Sequence, residues 1–112
     1  MDEKELSWIY MTAGSPEEAR QIGRVLLEKK LAACVNLIEG MHSLFHWKGE
    51  IQEALETVMI AKTRHKLVEE LTRTVKSIHS YDCPCILELP VLGGSPEFFD
   101  WICSETDSPS SR

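Results

Sequence analysis

Two long runs, Ala33 to Phe45 and Ile51 to Ala61, flank Trp47-Lys48-Gly49-Glu50, and this pattern restricts the fold more than any other. Both runs read as strands. Val35 and Leu37 alternate with polar or smaller residues, as do Leu55, Thr57 and Met59. The residues between them supply the turn of a hairpin. Gly40 interrupts the first arm and predicts a bulge or bend. Each arm is roughly twice the usual strand of about 5–6 residues. A chain of 112 residues makes one domain with a modest core. It cannot cover such arms by itself, so their edges require partner subunits.

The other elements follow from local signals. Leu6 to Thr12 reads as a strand that is apolar on both faces, hence central. Ser15-Pro16-Glu17-Glu18 is a helix start with a capping box, and Ala19, Ile22, Gly23 and Leu26 form one buried face behind it. Leu67, Val68, Leu71, Val75 and Ile78 predict a second helix over Thr63 to His79. Cys85 to Val91 reads as a short strand bounded by prolines, and Ser95-Pro96-Glu97 opens a short helix carrying Phe98, Trp101 and Ile102. The order β-α-β-β-α-β with a terminal helix predicts an α+β, ferredoxin-like sandwich over residues 1–103. Residues 104–112 are polar and Ser-rich, and are expected to form a disordered tail.

Charge and motifs narrow the function. A net charge of -6 argues against nucleic acid. The acidic start, Met1 to Glu5, has no apolar h-region and no apolar run reaches membrane-spanning length, so the expected compartment is the cytoplasm. In that compartment Cys34, Cys83, Cys85 and Cys103 are expected as free thiols, with Cys34 a small buried hydrophobe. No phosphate loop, nucleophile elbow or zincin helix is present, and an enzyme is not expected.

The densest chemical cluster is His79-Ser80-Tyr81-Asp82-Cys83-Pro84-Cys85. Imidazole and thiolates suit copper or zinc, and in extended chain Cys83 and Cys85 share a side. His42 and His46 look like a ligand pair, but four strand residues span about 13 Å, too far for a shared ion. Lys62, Arg64, His65 and Lys66 gather where the second helix is expected to begin and suggest an anion site.

Taken in order, five segments become familiar. They are Met11-Thr12-Ala13, Leu31-Ala32-Ala33-Cys34-Val35-Asn36, Ser43 to Gly49, Lys62-Thr63, and His79 to Pro84. Together they resemble the CutA divalent-cation-tolerance family, over about Ile9 to Trp101. The resemblance implies a homotrimer whose hairpins pair between subunits, with Phe45, Trp47 and Ile51 in the interface. It also implies binding of copper or another divalent cation, with no obligatory cofactor. His79, Cys83, Cys85 and Met11 are the expected metal residues; Lys62, Thr63, Tyr81 and Trp47 are the expected ligand-binding residues. The likeness of such trimers to PII signalling proteins implies a signalling or adaptor alternative, with an anion or a protein as partner. Mammalian relatives are linked to acetylcholinesterase anchoring. The family segment reads roughly His-Pro-Tyr-x-x-Pro-Glu. Ser80 therefore stands for a proline and Cys85 for a glutamate. Met11 stands for a cysteine found in some copper-binding relatives.

Overall fold

A computed structural model describes residues 5–107. The elements are β1 (Leu6–Ala13), α1 (Pro16–Glu28), β2 (Cys34–Trp47), β3 (Glu50–Arg64), a 3-10 turn (His65–Leu67), α2 (Val68–Ile78), β4 (Ile86–Val91) and α3 (Pro96–Glu105). The strands form one antiparallel sheet in the order β2-β3-β1-β4. The central position expected for the first strand is occupied by β1, which pairs with β3 on one side and β4 on the other.

Odd-numbered residues of β1 and β3 face the first two helices. Ile9, Met11, Met59 and Ala61 pack with Ala19, Ile22 and Leu26 of α1 and with Leu71 and Val75 of α2. Ser15 caps α1 by accepting from the Glu18 amide at 3.1 Å, as the capping box requires. Gly23 faces Val35 of β2, and a Cβ there would meet Val35 Cγ1 at 3.4 Å, an ordinary van der Waals contact.

The hairpin is longer than the sequence predicts, since β2 runs on to Trp47 and β3 spans Glu50 to Arg64. Its arms are 14 and 15 residues, and the molecule measures 48 × 26 × 24 Å. Trp47 pairs with Glu50, leaving Lys48 and Gly49 as a two-residue loop. Both have positive φ, 51° and 79°, the type I′ pattern that matches strand twist. Gly40 (φ 78°) sits where the register slips between Ile38 and Met41. The slip re-phases the arm. Before it, Asn36 and Ile38 oppose Ile60 and Val58; after it, Met41, Ser43, Phe45 and Trp47 oppose Glu56, Ala54, Gln52 and Glu50. Even-numbered residues of β3 lie on the face away from α1 and α2, so Met41, Ser43, Phe45 and Trp47 lie on that face too.

Two expected boundaries are corrected. The second helix does not begin at Thr63: β3 continues through Arg64, and α2 starts at Val68 after the 3-10 turn. The pairings Ser7 with Thr63 and Leu6 with Arg64 extend the ladder, and Thr63 Oγ1 donates to Leu31 O at 2.7 Å. Those bonds outcompete a helical turn. Ser104 to Asp107, expected in the tail, belong to the ordered fold. The last helix runs to Glu105, and Arg64, 7% exposed in its side chain, donates to Thr106 Oγ1 (2.9 Å), Thr106 O (3.2 Å) and Asp107 Oδ1 (2.9 Å). The remaining tail residues lie outside the described range.

At the far edge of the sheet, Glu88 Oε2 accepts from Ser7 Oγ at 2.6 Å and lies 2.5 Å from His65 Nδ1. The Glu88 hydrogen bond and charge raise the His65 pKa above its usual 6.5. Burial pushes the Glu88 carboxyl up, but the bonds from Ser7 and His65 outweigh it and hold it below 4.5. The raised imidazole stabilises the fold below its unfolded value and loses that contribution as pH rises through the folded one. The lowered carboxyl does so above its unfolded value and loses it as pH falls. The pair therefore contributes fully between about pH 4.5 and 6.5. An NMR titration should show the His65 midpoint falling in Glu88→Gln; an unchanged midpoint would refute the pairing.

Candidate functional site

The face away from α1 and α2 carries a cleft of about 740 Å³. One wall is the hairpin arm, with Met41, Phe45 and Trp47. The other is the segment between α2 and β4, with Tyr81, Cys83 and Cys85. Local bonds hold that segment in place. The His79 side chain is 1% exposed. Its Nδ1 accepts from the Tyr81 amide at 3.0 Å, so its Nε2 carries the proton donated to Thr12 O at 2.8 Å. Glu18 binds the next residue, its Oε2 accepting from Ser80 N at 2.7 Å and its Oε1 from Ser80 Oγ at 3.0 Å. The Gly14 amide adds a third bond to Oε1 at 3.3 Å. Burial pushes the Glu18 carboxyl up, but these donors win and its pKa is lowered. Ser80 thus supplies two bonds that a proline, lacking an N–H, could not.

Tyr81 reaches back to the hairpin. Its hydroxyl donates to Glu56 Oε2 at 2.9 Å, and Ser43 Oγ donates to Glu56 Oε1 at 2.7 Å. Burial, then the Glu56 bond and charge, push the Tyr81 phenol to about 12. Glu56→Gln should lower that value in an absorbance titration of tyrosinate; no change would show that Glu56 does not hold the phenol. Among the described residues two carboxylates, Glu56 and Asp82, line the cleft, and no Lys, Arg or His does.

The expected site residues divide into two sets. The cleft brings together Trp47, Phe45, Tyr81, Cys83 and Cys85. Met11 is elsewhere: it is fully buried in the helix-facing core, because its place in β1 points it away from the cleft. His79 sits behind the segment with both ring nitrogens engaged. Among the described residues no three His, Cys, Asp or Glu side chains converge on a metal position. Lys62 lies over the rings of Trp8 (5.9 Å) and Phe98 (5.5 Å), Thr63 is buried, and Arg64 grips the end of α3. The basic cluster is therefore dispersed. His42 and His46 stay on the exposed arm, with His42 Nδ1 3.7 Å from Glu53 Oε2. Cys34 is half-buried rather than buried, and all four cysteines are free thiols. Sequence reasoning missed Glu18, Met41, Ser43 and Glu56. Glu18 was visible as a capping residue, but its bonds to Ser80 span 62 positions.

Apolar side chains also stand in solvent along the arms: Leu44, Phe45, Trp47, Ile51 (73%) and Leu55. Beyond them, Leu87 and Leu89 on β4 and Leu92 are exposed.

A four-stranded antiparallel sheet with its helices, a projecting hairpin and a cleft along that hairpin define the class as an α+β, ferredoxin-like domain. The chain belongs to the CutA1 divalent ion tolerance protein family, whose description matches residues 7–105. It is 50% identical over 96 residues to the divalent-cation tolerance protein CutA of Archaeoglobus fulgidus, covering 86% of this chain and 93% of that one. It is 37% identical over 98 residues to the chloroplastic protein CutA of Arabidopsis thaliana, covering 88% of this chain and 54% of that longer one. The solved structure of the periplasmic divalent cation tolerance protein CutA from Archaeoglobus fulgidus superposes with a TM-score of 0.89 at 47% identity, over 91% of this chain and 99% of that one.

Proposed function

We propose that this protein is a homotrimeric, non-enzymatic divalent-cation-tolerance protein that binds copper or a related metal ion at the cleft beside the hairpin. One observation carries the reading: the exposed apolar arms meet the 79–85 segment at a cleft that holds two free thiols. The arms supply the surface for association. The thiols supply the affinity for a soft or borderline ion. Its tolerance role follows the family.

The signalling alternative divides. An anionic ligand finds little support, since the cleft has no basic lining and Lys62 is held by two rings. A protein partner is favoured by Leu87, Leu89 and Leu92, which lie exposed beyond the hairpin. Among the described residues no helix is long and apolar enough to cross a membrane. Four free thiols suit a reducing compartment, and we place the protein in the cytoplasm on that ground. The Archaeoglobus structure described as periplasmic makes fractionation of cells the deciding measurement for that placement.

Solution mass together with metal analysis of purified, reduced protein tests the main reading. The expected result is about three times 12.7 kDa with copper retained after mild chelation. A monomer would overturn the trimer, and no uptake of Cu(I) would overturn the metal role.

A further inference from the structure

The cleft also combines aromatic rings with negative charge. Tyr10, Phe45, Trp47 and Tyr81 bring rings to its lining, and Glu56 and Asp82 bring carboxylates. Among the described residues no cationic side chain lines it. We propose that this cleft binds a small organic ammonium ion, an amine with an apolar body. Such a ligand uses the rings and carboxylates and needs neither thiol, so it stands apart from the metal-binding reading above.

Three observations converge. First, the size fits: about 740 Å³ lies within the range of small-molecule sites, about 300–1,000 Å³. Second, the rings are held in place. The Gly40 bulge turns Phe45 and Trp47 onto the cleft face. Tyr81 leans on the buried His79 ring, with centroids 4.8 Å apart, and its hydroxyl is fixed on Glu56 at 2.9 Å. At 36% exposure it still offers ring surface to the cleft. At the hairpin tip Lys48 Nζ sits 6.0 Å from the Trp47 ring centroid, so that ring already carries a cation. The rings left for a ligand are Tyr10, Phe45 and Tyr81. Third, the field inside the cleft is negative. Glu56 is anchored by hydroxyl donors on both oxygens, Ser43 at 2.7 Å and Tyr81 at 2.9 Å, which fixes its charge in position. Two groups of the cleft resist becoming anions there. Burial, then the Glu56 bond and charge, push the Tyr81 phenol to about 12, and burial, then the Glu56 charge, raise the Cys85 thiol. A cavity that disfavours new anions favours a cation.

An organic ammonium ion gains from three sources at once. Its charge is attracted to Glu56 and Asp82, it contacts aromatic faces, and its carbon skeleton leaves water. A neutral molecule of the same shape gains chiefly the last. An anion of that shape meets two like charges. The difference among the three, more than affinity alone, identifies the site.

The test titrates the full chain in its native assembly, by NMR at low salt, with phenethylammonium. Parallel titrations use 2-phenylethanol and phenylacetate, which keep the shape but are neutral and negative. The ammonium ion should bind about tenfold more tightly than the alcohol, and phenylacetate should bind more weakly still. Glu56→Gln should weaken ammonium binding about tenfold, and the exposed Asp82→Asn about threefold. Glu69→Ala, on α2, should leave it unchanged. Intermolecular NOEs from the ligand should reach the ring protons of Tyr10 and Tyr81. Circular dichroism and solution mass verify that each variant keeps its fold and assembly. Equal affinity for the ammonium ion and the alcohol, or ammonium binding that survives Glu56→Gln with Asp82→Asn, would overturn the site. So would a native assembly that takes up no phenethylammonium, and the metal-binding reading would then still stand. Failure to take up Cu(I) would leave the ammonium site in place.

Discussion

His79→Ala should lower the stability of the metal-free protein by about 2–4 kcal/mol, because it removes a side chain only 1% exposed together with its bonds to the Thr12 carbonyl and the Tyr81 amide. In a chain of this size that corresponds to a fall in Tm of roughly 10 °C or more. The direction separates two roles. A surface metal ligand would cost nothing in the absence of metal. A buried imidazole joining two backbone groups costs the same with metal or without it. Urea denaturation in excess chelator, at fixed protein concentration, makes the measurement. His79→Gln, whose amide can still reach the Thr12 carbonyl, should recover part of the loss. Equal stability of His79→Ala and the unaltered protein would remove His79 from its structural role. Such a variant would also disturb any metal measurement indirectly, by releasing the segment that carries Tyr81, Cys83 and Cys85.

Placing charge on the hairpin should dissociate the assembly. Phe45→Asp with Ile51→Asp puts two carboxylates into the exposed apolar stretch that the proposed trimer buries. Burying a Phe or Ile side chain is worth about 1.5–3 kcal/mol each, and a buried unpaired charge costs more than that gain. In a symmetric trimer each substitution acts three times. Light scattering at micromolar concentration should give the monomer mass of 12.7 kDa. The control is Glu69→Ala, which removes an exposed i,i+4 pair with Arg73 on α2 and should change neither mass nor stability measurably. A retained assembly in the charged variant would show that association does not use the hairpin.

The readable part of the site was its chemistry in sequence, not its grouping in space. Tyr81, Cys83 and Cys85 were visible as a cluster because they are neighbours along the chain. Met41 was not, because its facing depends on the register slip at Gly40. Alternation counted without the bulge assigns Met41, Ser43, Phe45 and Trp47 to the wrong face. Lys62 and Arg64 seemed to gather because they are close in sequence; both belong to a strand that carries them under α3. Glu18 was read as the second half of a capping box, but its carboxylate takes the Gly14 amide, one residue before the cap, and the amide and hydroxyl of Ser80 in the loop that walls the cleft.

The sequence alone determined the long hairpin, the place of its turn within Trp47 to Glu50, the helix starts at Ser15 and Ser95, and the α+β order. These rest on interactions within a few residues: alternation, capping and the conformations open to glycine. Tertiary structure decided which side chains meet. The hairpin's length was legible from its alternation, but its consequence was not. One extra residue at Gly40 turns a sulfur, a hydroxyl and two aromatic rings towards the loop that bears the thiols. A strand's period is two, so a single bulge exchanges its faces, and only the paired partner strand records on which side of the bulge each residue falls.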